Sequence, residues 1–268
     1  MTSIQRPRAL ITGASSGIGR EFARVAAGDG YELVIVARRA ERLQALAAEL
    51  GATGVEVTPV VADLAGPAGV PAVVSAVGGR PVDVLVNDAG VGGRGRFAVE
   101  RDLEADLAMI RLNIGALVQL TGLLLPGMVE RQRGRILNVA SIAGYLPGPG
   151  QAVYHASKAF VRSFSQALSE ETRGTGVSVT VLCPGPVRTE FARTAGYAEE
   201  VRGNPLMRIR PAADVAATGW AGLMAGRAEV VPDVGTRIGL QLLRFVPWRL
   251  VARTAGSPQH FPEAVERR

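Results

Sequence analysis

RALITGASSGIG, residues 8–19, holds three local structures in succession. Ala9–Ile11 is a continuous apolar run, Thr12–Gly17 a turn of small and polar residues, and Ile18 opens a helical pattern. In such a turn Gly13 permits the sharp reversal and Gly17 lets a ligand approach the backbone. Gly19 lets the helix lie close to the strand. A helix N-terminus offers unpaired N–H groups and the positive end of its dipole, so the turn formed by Gly13, Ser15, Ser16, Gly17, Ile18 and Gly19 is a seat for a dinucleotide's pyrophosphate. A strand feeding a helix through this turn is also the first unit of a parallel α/β sheet.

The rest of the chain repeats that unit. Further strands are expected at 31–38, 55–63, 82–87, 134–141 and 177–185, with a weaker one at 228–233. All are Val/Ile/Leu runs of the kind buried on both faces of a parallel sheet. Helices are expected at 18–29, 39–50, 67–77, 102–131, 151–174 and 211–226. The alternation predicts an α/β fold in one doubly wound, Rossmann-like domain over residues 1–268, with a mostly parallel sheet of about seven strands. Two segments depart from the rhythm: 186–210, read as a substrate loop or lid, and 235–268, an apolar and basic C-terminal extension interrupted by Pro247.

Composition narrows the function classes. The 268 residues are 47% hydrophobic, enough for a substantial core. The net charge of +6 comes from dispersed arginines with only 5% aromatic residues, so no basic stripe with stacking platforms supports nucleic-acid binding. A single cysteine, Cys183, excludes an intramolecular disulfide and reads as a buried thiol. With two histidines in the chain a zinc site is not expected. The N-terminus lacks an apolar signal region, and no apolar run reaches the ~18–20 residues that span a bilayer, so a cytoplasmic setting is expected.

The glycine spacing is G-x-x-x-G-x-G, preceded by Thr12, and in this form it resembles the short-chain dehydrogenase/reductase family; further matches come in order over roughly residues 8–190. An NAD-binding turn places an acid at the end of the second strand to hold the ribose 2′-hydroxyl. Here that position reads Ala37-Arg38-Arg39. Guanidinium groups grip a 2′-phosphate, so NADP(H) rather than NAD(H) is expected, with Arg38 and then Arg39 as its ligands. The resemblance implies that Asp63-Leu64 meet the adenine and that Asn87, Ala89 and Gly90 of NDAG line the ribose. It also implies that Pro184, Gly185, Val187 and Thr189 of PGPVRT shape the nicotinamide end. Asp88 replaces the asparagine that braces the sheet in the family.

At the chemical end, YHASK (154–158) contains the chain's only lysine among 30 basic residues. Carbonyl reduction leaves an alkoxide that needs a proton, and a phenol is a suitable donor. A cation nearby lowers the phenol's pKa from about 10 and makes it a base for the reverse reaction. Tyr154 and Lys158 are four residues apart on one helix face. Ser141 ends the fifth strand, and Asn113 lies in the long helical stretch. The resemblance implies that Asn113, Ser141, Tyr154 and Lys158 form a catalytic tetrad, Asn113 supporting a water path to Lys158.

Candidate pocket residues lie in 90–97, in 142–150 and at Phe191, Tyr197 and Met207. They are mostly apolar, and NDAGVGGRGRF resembles a branch of the family with broad ketone and aldehyde reductases. The expected substrate is a lipophilic carbonyl compound or secondary alcohol. Two alternatives stand beside it. One is a 3-oxoacyl-thioester reductase meeting an acyl carrier protein through Arg131, Arg133 and Arg135; the other is a non-catalytic nucleotide-binding regulator. The resemblance implies a homodimer or homotetramer through helices 102–131 and 151–174. For 235–256, a cover over a pocket or a subunit contact is the stronger expectation and a membrane-surface contact the weaker.

Overall fold

Alternation of buried residues through each central strand decides the layers. Ala9 and Ile11 of β1 (Arg8–Thr12) pack to one side of the sheet and Leu10 to the other. The same split separates Leu33 and Ile35 from Val34 and Val36 in β2 (Glu32–Ala37). It also separates Val84 and Val86 from Leu85 in β4 (Val84–Asn87). Successive side chains of a strand point to opposite faces, so a run apolar at every position needs a covering layer on both sides.

The computed structural model describes residues 6–196 and 209–255. Its main sheet has seven strands in the order β3-β2-β1-β4-β5-β6-β9, every pair parallel. The remaining members are β3 (Val57–Val61), β5 (Gly134–Val139), β6 (Val177–Leu182) and β9 (Glu229–Val230). One face is covered by α1 (Gly17–Gly28), α2 (Ala40–Gly51) and α8 (Ala212–Met224), which contribute Phe22, Leu43, Trp220 and Leu223. The other is covered by α3 (Gly69–Val77), α5 (Leu117–Glu130) and α6 (Ala152–Glu171). The doubly wound parallel sheet is therefore as expected, and its order reverses between β1 and β4, where such sheets place ligands at the strands' C-terminal ends.

The segment expected as one helix over 102–131 is continuous but not uniform. It runs as α4 (Leu103–Ile110), a π-helical segment Arg111–Ala116, and α5. It also corrects the expectation about membrane-spanning length, because Leu103–Glu130, at 28 residues, is long and apolar enough by length and composition. Arg111, Asn113 and Gln119 interrupt its apolar run in the sequence and hide that property. The buried side of the helix, with Asn113, Leu117, Leu120 and Met128, packs in the core as an internal helix does.

The loop expected over 186–210 contains β7 (Val187–Arg188), a single helical turn α7 (Phe191–Thr194), and β8 (Arg210–Pro211), which pairs in parallel with β7. Tyr197 and Met207 lie outside the described residues. The C-terminal stretch forms α9 (Val234–Leu242) and α10 (Trp248–Ala255), broken at Pro247 as a proline requires. Leu240 and Val251 are buried, and a groove between these helices and the body is lined by Tyr145, Pro147 and Arg162.

Candidate active site

The glycine turn is shaped by contacts that only a missing side chain allows. Gly13 has φ +75°, and a Cβ there would stand 2.9 Å from the Ala89 amide nitrogen. A Cβ on Gly19 would lie 2.6 Å from Gly13 O and from Asp88 Oδ2. Thr12 ties the turn to the next strand end: its Oγ1 accepts from the amides of Asp88 (3.1 Å) and Ala89 (3.0 Å) and donates to Val86 O. Ile18 packs into the core behind the turn. Ser16, the residue preceding α1, uses its hydroxyl to meet Arg39 rather than to cap the helix. These features fit a pyrophosphate at the N-terminus of α1.

Of the two arginines after β2, Arg39 reaches the turn. Its Nη2 donates to Ser16 Oγ at 2.6 Å and Ser15 Oγ at 3.1 Å, although Arg38 and Arg39 are both exposed. The reason is local: Arg39 directly precedes α2 and turns back over the glycine turn. Asp63 is exposed, its Oδ1 accepting from the Ala65 amide, and Leu64 is buried.

Asn87 takes over the sheet bracing. Its Nδ2 donates to Thr121 Oγ1 (3.2 Å) and Asn138 Oδ1 (2.9 Å), and Asn138 in turn donates to Ser165 Oγ. Asp88 instead faces the start of α1, where the Gly19 N–H donates to it. Burial pushes its carboxyl up to about 7, with Lys158 and the Gly19 amide pulling it back.

The four expected catalytic residues converge beyond the ends of β4 and β5. Lys158 is buried, and its Nζ donates to Val139 O at 2.9 Å and lies 6.0 Å from the centroid of the Tyr154 ring. Burial pushes the ammonium down to about 8, opposed chiefly by Asp88. Asn113 is clamped by Val91, donating to its carbonyl and accepting from its amide, and it donates to Ser157 Oγ at 3.1 Å. Gly90 leaves the space between them: a Cβ there would be 3.1 Å from Asn113 Oδ1 and 3.5 Å from Lys158 Nζ. Ser141 Oγ accepts from the Ala143 amide and reaches Pro184 O at 3.5 Å.

Around Tyr154 the walls are Met109, Ala143, Val91, Val153 and Phe191, with the Phe191 ring centroid 5.6 Å away. Gly185 is partly buried with Ile142 near it, Val187 packs against the core on the α1 side, and Thr189 Cγ2 would touch a Cβ on Gly17 at 3.2 Å. His155 holds Leu146 O at 2.8 Å, and Cys183 is buried with its thiol pushed up to about 12, so both read as structural.

Sequence reasoning missed Ser157, Arg42 and Glu190. Ser157 bridges Asn113 to the Tyr154 carbonyl (2.7 Å), and its i+3 spacing from Tyr154 was the available signal. Arg42 and Glu190 are far apart in sequence, and no spacing marks their meeting. Arg131 and Arg133, proposed for an acidic carrier, already hold Val82 O and Asp83, at the N-terminal end of β5 and away from the site.

A family model for short chain dehydrogenases matches residues 7–200. Sulfoacetaldehyde reductase 2 of Chromohalobacter salexigens is 39% identical over 235 residues, which cover 83% of this chain and 93% of that protein. Among solved structures, a short-chain dehydrogenase from Sphingobium yanoikuyae in complex with NADPH superposes with a TM-score of 0.82 at 31% identity. That match covers 97% of this chain and 99% of the other. The bulky-bulky ketone specific alcohol dehydrogenase from Comamonas testosteroni gives a TM-score of 0.76 at 28% identity, over 96% of this chain and 99% of the other.

Proposed function

The chain belongs to the short-chain dehydrogenase family, and from that premise we propose an NADP(H)-dependent oxidoreductase that reduces a lipophilic ketone or aldehyde, or oxidises the matching secondary alcohol. The observation that carries the reading is the buried Lys158 ammonium beside the Tyr154 phenol, whose ring packs among Val91, Met109, Val153 and Phe191. A bound nicotinamide supplies or accepts the hydride.

The chain's own residues do the rest. Ser141 donates to the substrate oxygen and holds it beside the phenol. Tyr154 gives that oxygen its proton in reduction and takes it back in oxidation, and the positive charge of Lys158 stabilises the phenolate in between. Val139 O and the Asn113–Ser157 link keep α6 at the height this transfer needs. The apolar walls exclude water, which strengthens the electrostatics of the site and favours carbonyl compounds with large apolar groups.

Arg39 with Ser15 and Ser16 supports NADP(H), because a carboxylate at that strand end would repel a 2′-phosphate. The same reading has the chain working as a homodimer or homotetramer on a small-molecule substrate in the cytoplasm.

The test is NADPH consumption measured over ketones and aldehydes graded in size and polarity, with NADH in parallel. Bulky apolar ketones should be turned over fastest with NADPH, and Tyr154→Phe should lose ~10²–10⁴-fold in kcat while nucleotide binding persists. A tenfold preference for NADH overturns the cofactor reading. Turnover unchanged in Tyr154→Phe overturns the mechanism.

A further inference from the structure

Glu190, the residue after the expected nicotinamide contact Thr189, crosses to the far end of the cofactor groove. Its Oε2 accepts from Arg39 Nη1 at 2.8 Å and from Arg42 Nη1 at 2.7 Å. The Arg39 guanidinium is therefore shared between a carboxylate on one side and the hydroxyls of Ser15 and Ser16 on the other. Arg42, and after it Arg39, hold the Glu190 carboxyl down at about 2, so it is an anion throughout the neutral range. The next residue, Phe191, lies on the Tyr154 ring.

We propose that Glu190 is an internal competitor of the cofactor's 2′-phosphate for the Arg39–Arg42 pair, and that it thereby sets how strongly this chain discriminates NADP(H) from NAD(H). The inference rests on the NADP(H) reading above. A 2′-phosphate carries more charge than a carboxylate and offers three acceptor oxygens, so it wins the arginines from Glu190. Part of its binding free energy is spent on displacing the side chain, and a cofactor with a 2′-hydroxyl leaves the carboxylate where it is. Because the guanidinium groups are nearly half exposed, solvent screens the competition and its effect is modest.

The experiment is calorimetric titration of wild type and Glu190→Gln with adenosine 2′-monophosphate and, as control, adenosine 5′-monophosphate. Glutamine keeps the length and removes the competing charge. The variant should bind the 2′-monophosphate about threefold more tightly and the 5′-monophosphate unchanged. The KM for NADPH should fall by a similar factor, with that for NADH constant. Unchanged or weaker binding of the 2′-monophosphate, or an equal change for both probes, overturns the proposal. If wild type itself shows no preference for the 2′-monophosphate, the NADP(H) reading falls and this inference with it. If wild type prefers it and the variant does not tighten, only the role of Glu190 is lost.

Discussion

Lys158 and Asp88 face one another across the turn between cofactor and chemistry, and burial works against both charges. An ammonium suits this place because it is compact: Nζ meets Val139 O while remaining beside Tyr154 and Asn113. A guanidinium is planar and longer, so Lys158→Arg should displace the phenol and lower kcat by ~10²-fold or more, read by steady-state kinetics. Near-normal turnover in that variant would contradict this role for the ammonium. Asp88 makes a pH prediction. Its folded pKa, about 7, lies above its ordinary value of about 4, so the folded chain binds a proton that the unfolded chain releases in between. Stability therefore falls as pH rises through that window, and Asp88→Asn should flatten the fall in chemical denaturation. The same variant removes the charge that holds Lys158 up, so the alkaline limb of kcat/KM should move to lower pH. A limb that stays in place would show that the pair is not coupled.

Asn113 owes its position to an irregular helix. The wider turn of the π segment Arg111–Ala116 takes up one extra residue as a bulge, and the Asn113 side chain reaches Val91 and Ser157 there. Deleting Gly115, which has open space at its Cβ, should restore a regular helix with α4 and α5 still in register and withdraw Asn113 from Val91 and Ser157. Turnover should fall by ~10²-fold or more with the far-UV circular dichroism retained. Asn113→Ala should reproduce the kinetic loss if the irregularity acts through this side chain. Apolar strand runs and the glycine turn were legible because their periods and φ requirements act over a few residues. The π segment was not, since nothing in RLNIGA distinguishes it from the helix around it; packing against α6 and Val91 selects it.

Across the whole molecule, helix Leu103–Glu130 buries one side in the core and leaves Leu103, Leu107, Ile110 and Leu123 exposed, and α6 exposes Phe160. Apolar positions of this kind on neighbouring helices suit a contact with a second copy. Ile110→Glu combined with Leu107→Glu should lower the mass seen by sedimentation by at least half. An unchanged mass would exclude this face as a contact between copies, and the exposed Ile238 and Leu242 of α9 with Phe245 after it would be the next to test.

The order of the seven main-sheet strands and of the helices between them, the turn at Gly13–Gly19 and the Tyr154–Lys158 pair were readable from the sequence, because each depends on neighbours within a turn or a strand. Tertiary structure decided the rest. It turned Arg39 back onto Ser15 and Ser16, gave the bracing bonds to Asn87, set Asp88 against α1, and brought Glu190 to Arg42 across 148 residues of chain. Long-range contacts of that kind arise from how separate elements pack, and no local spacing in a sequence encodes them.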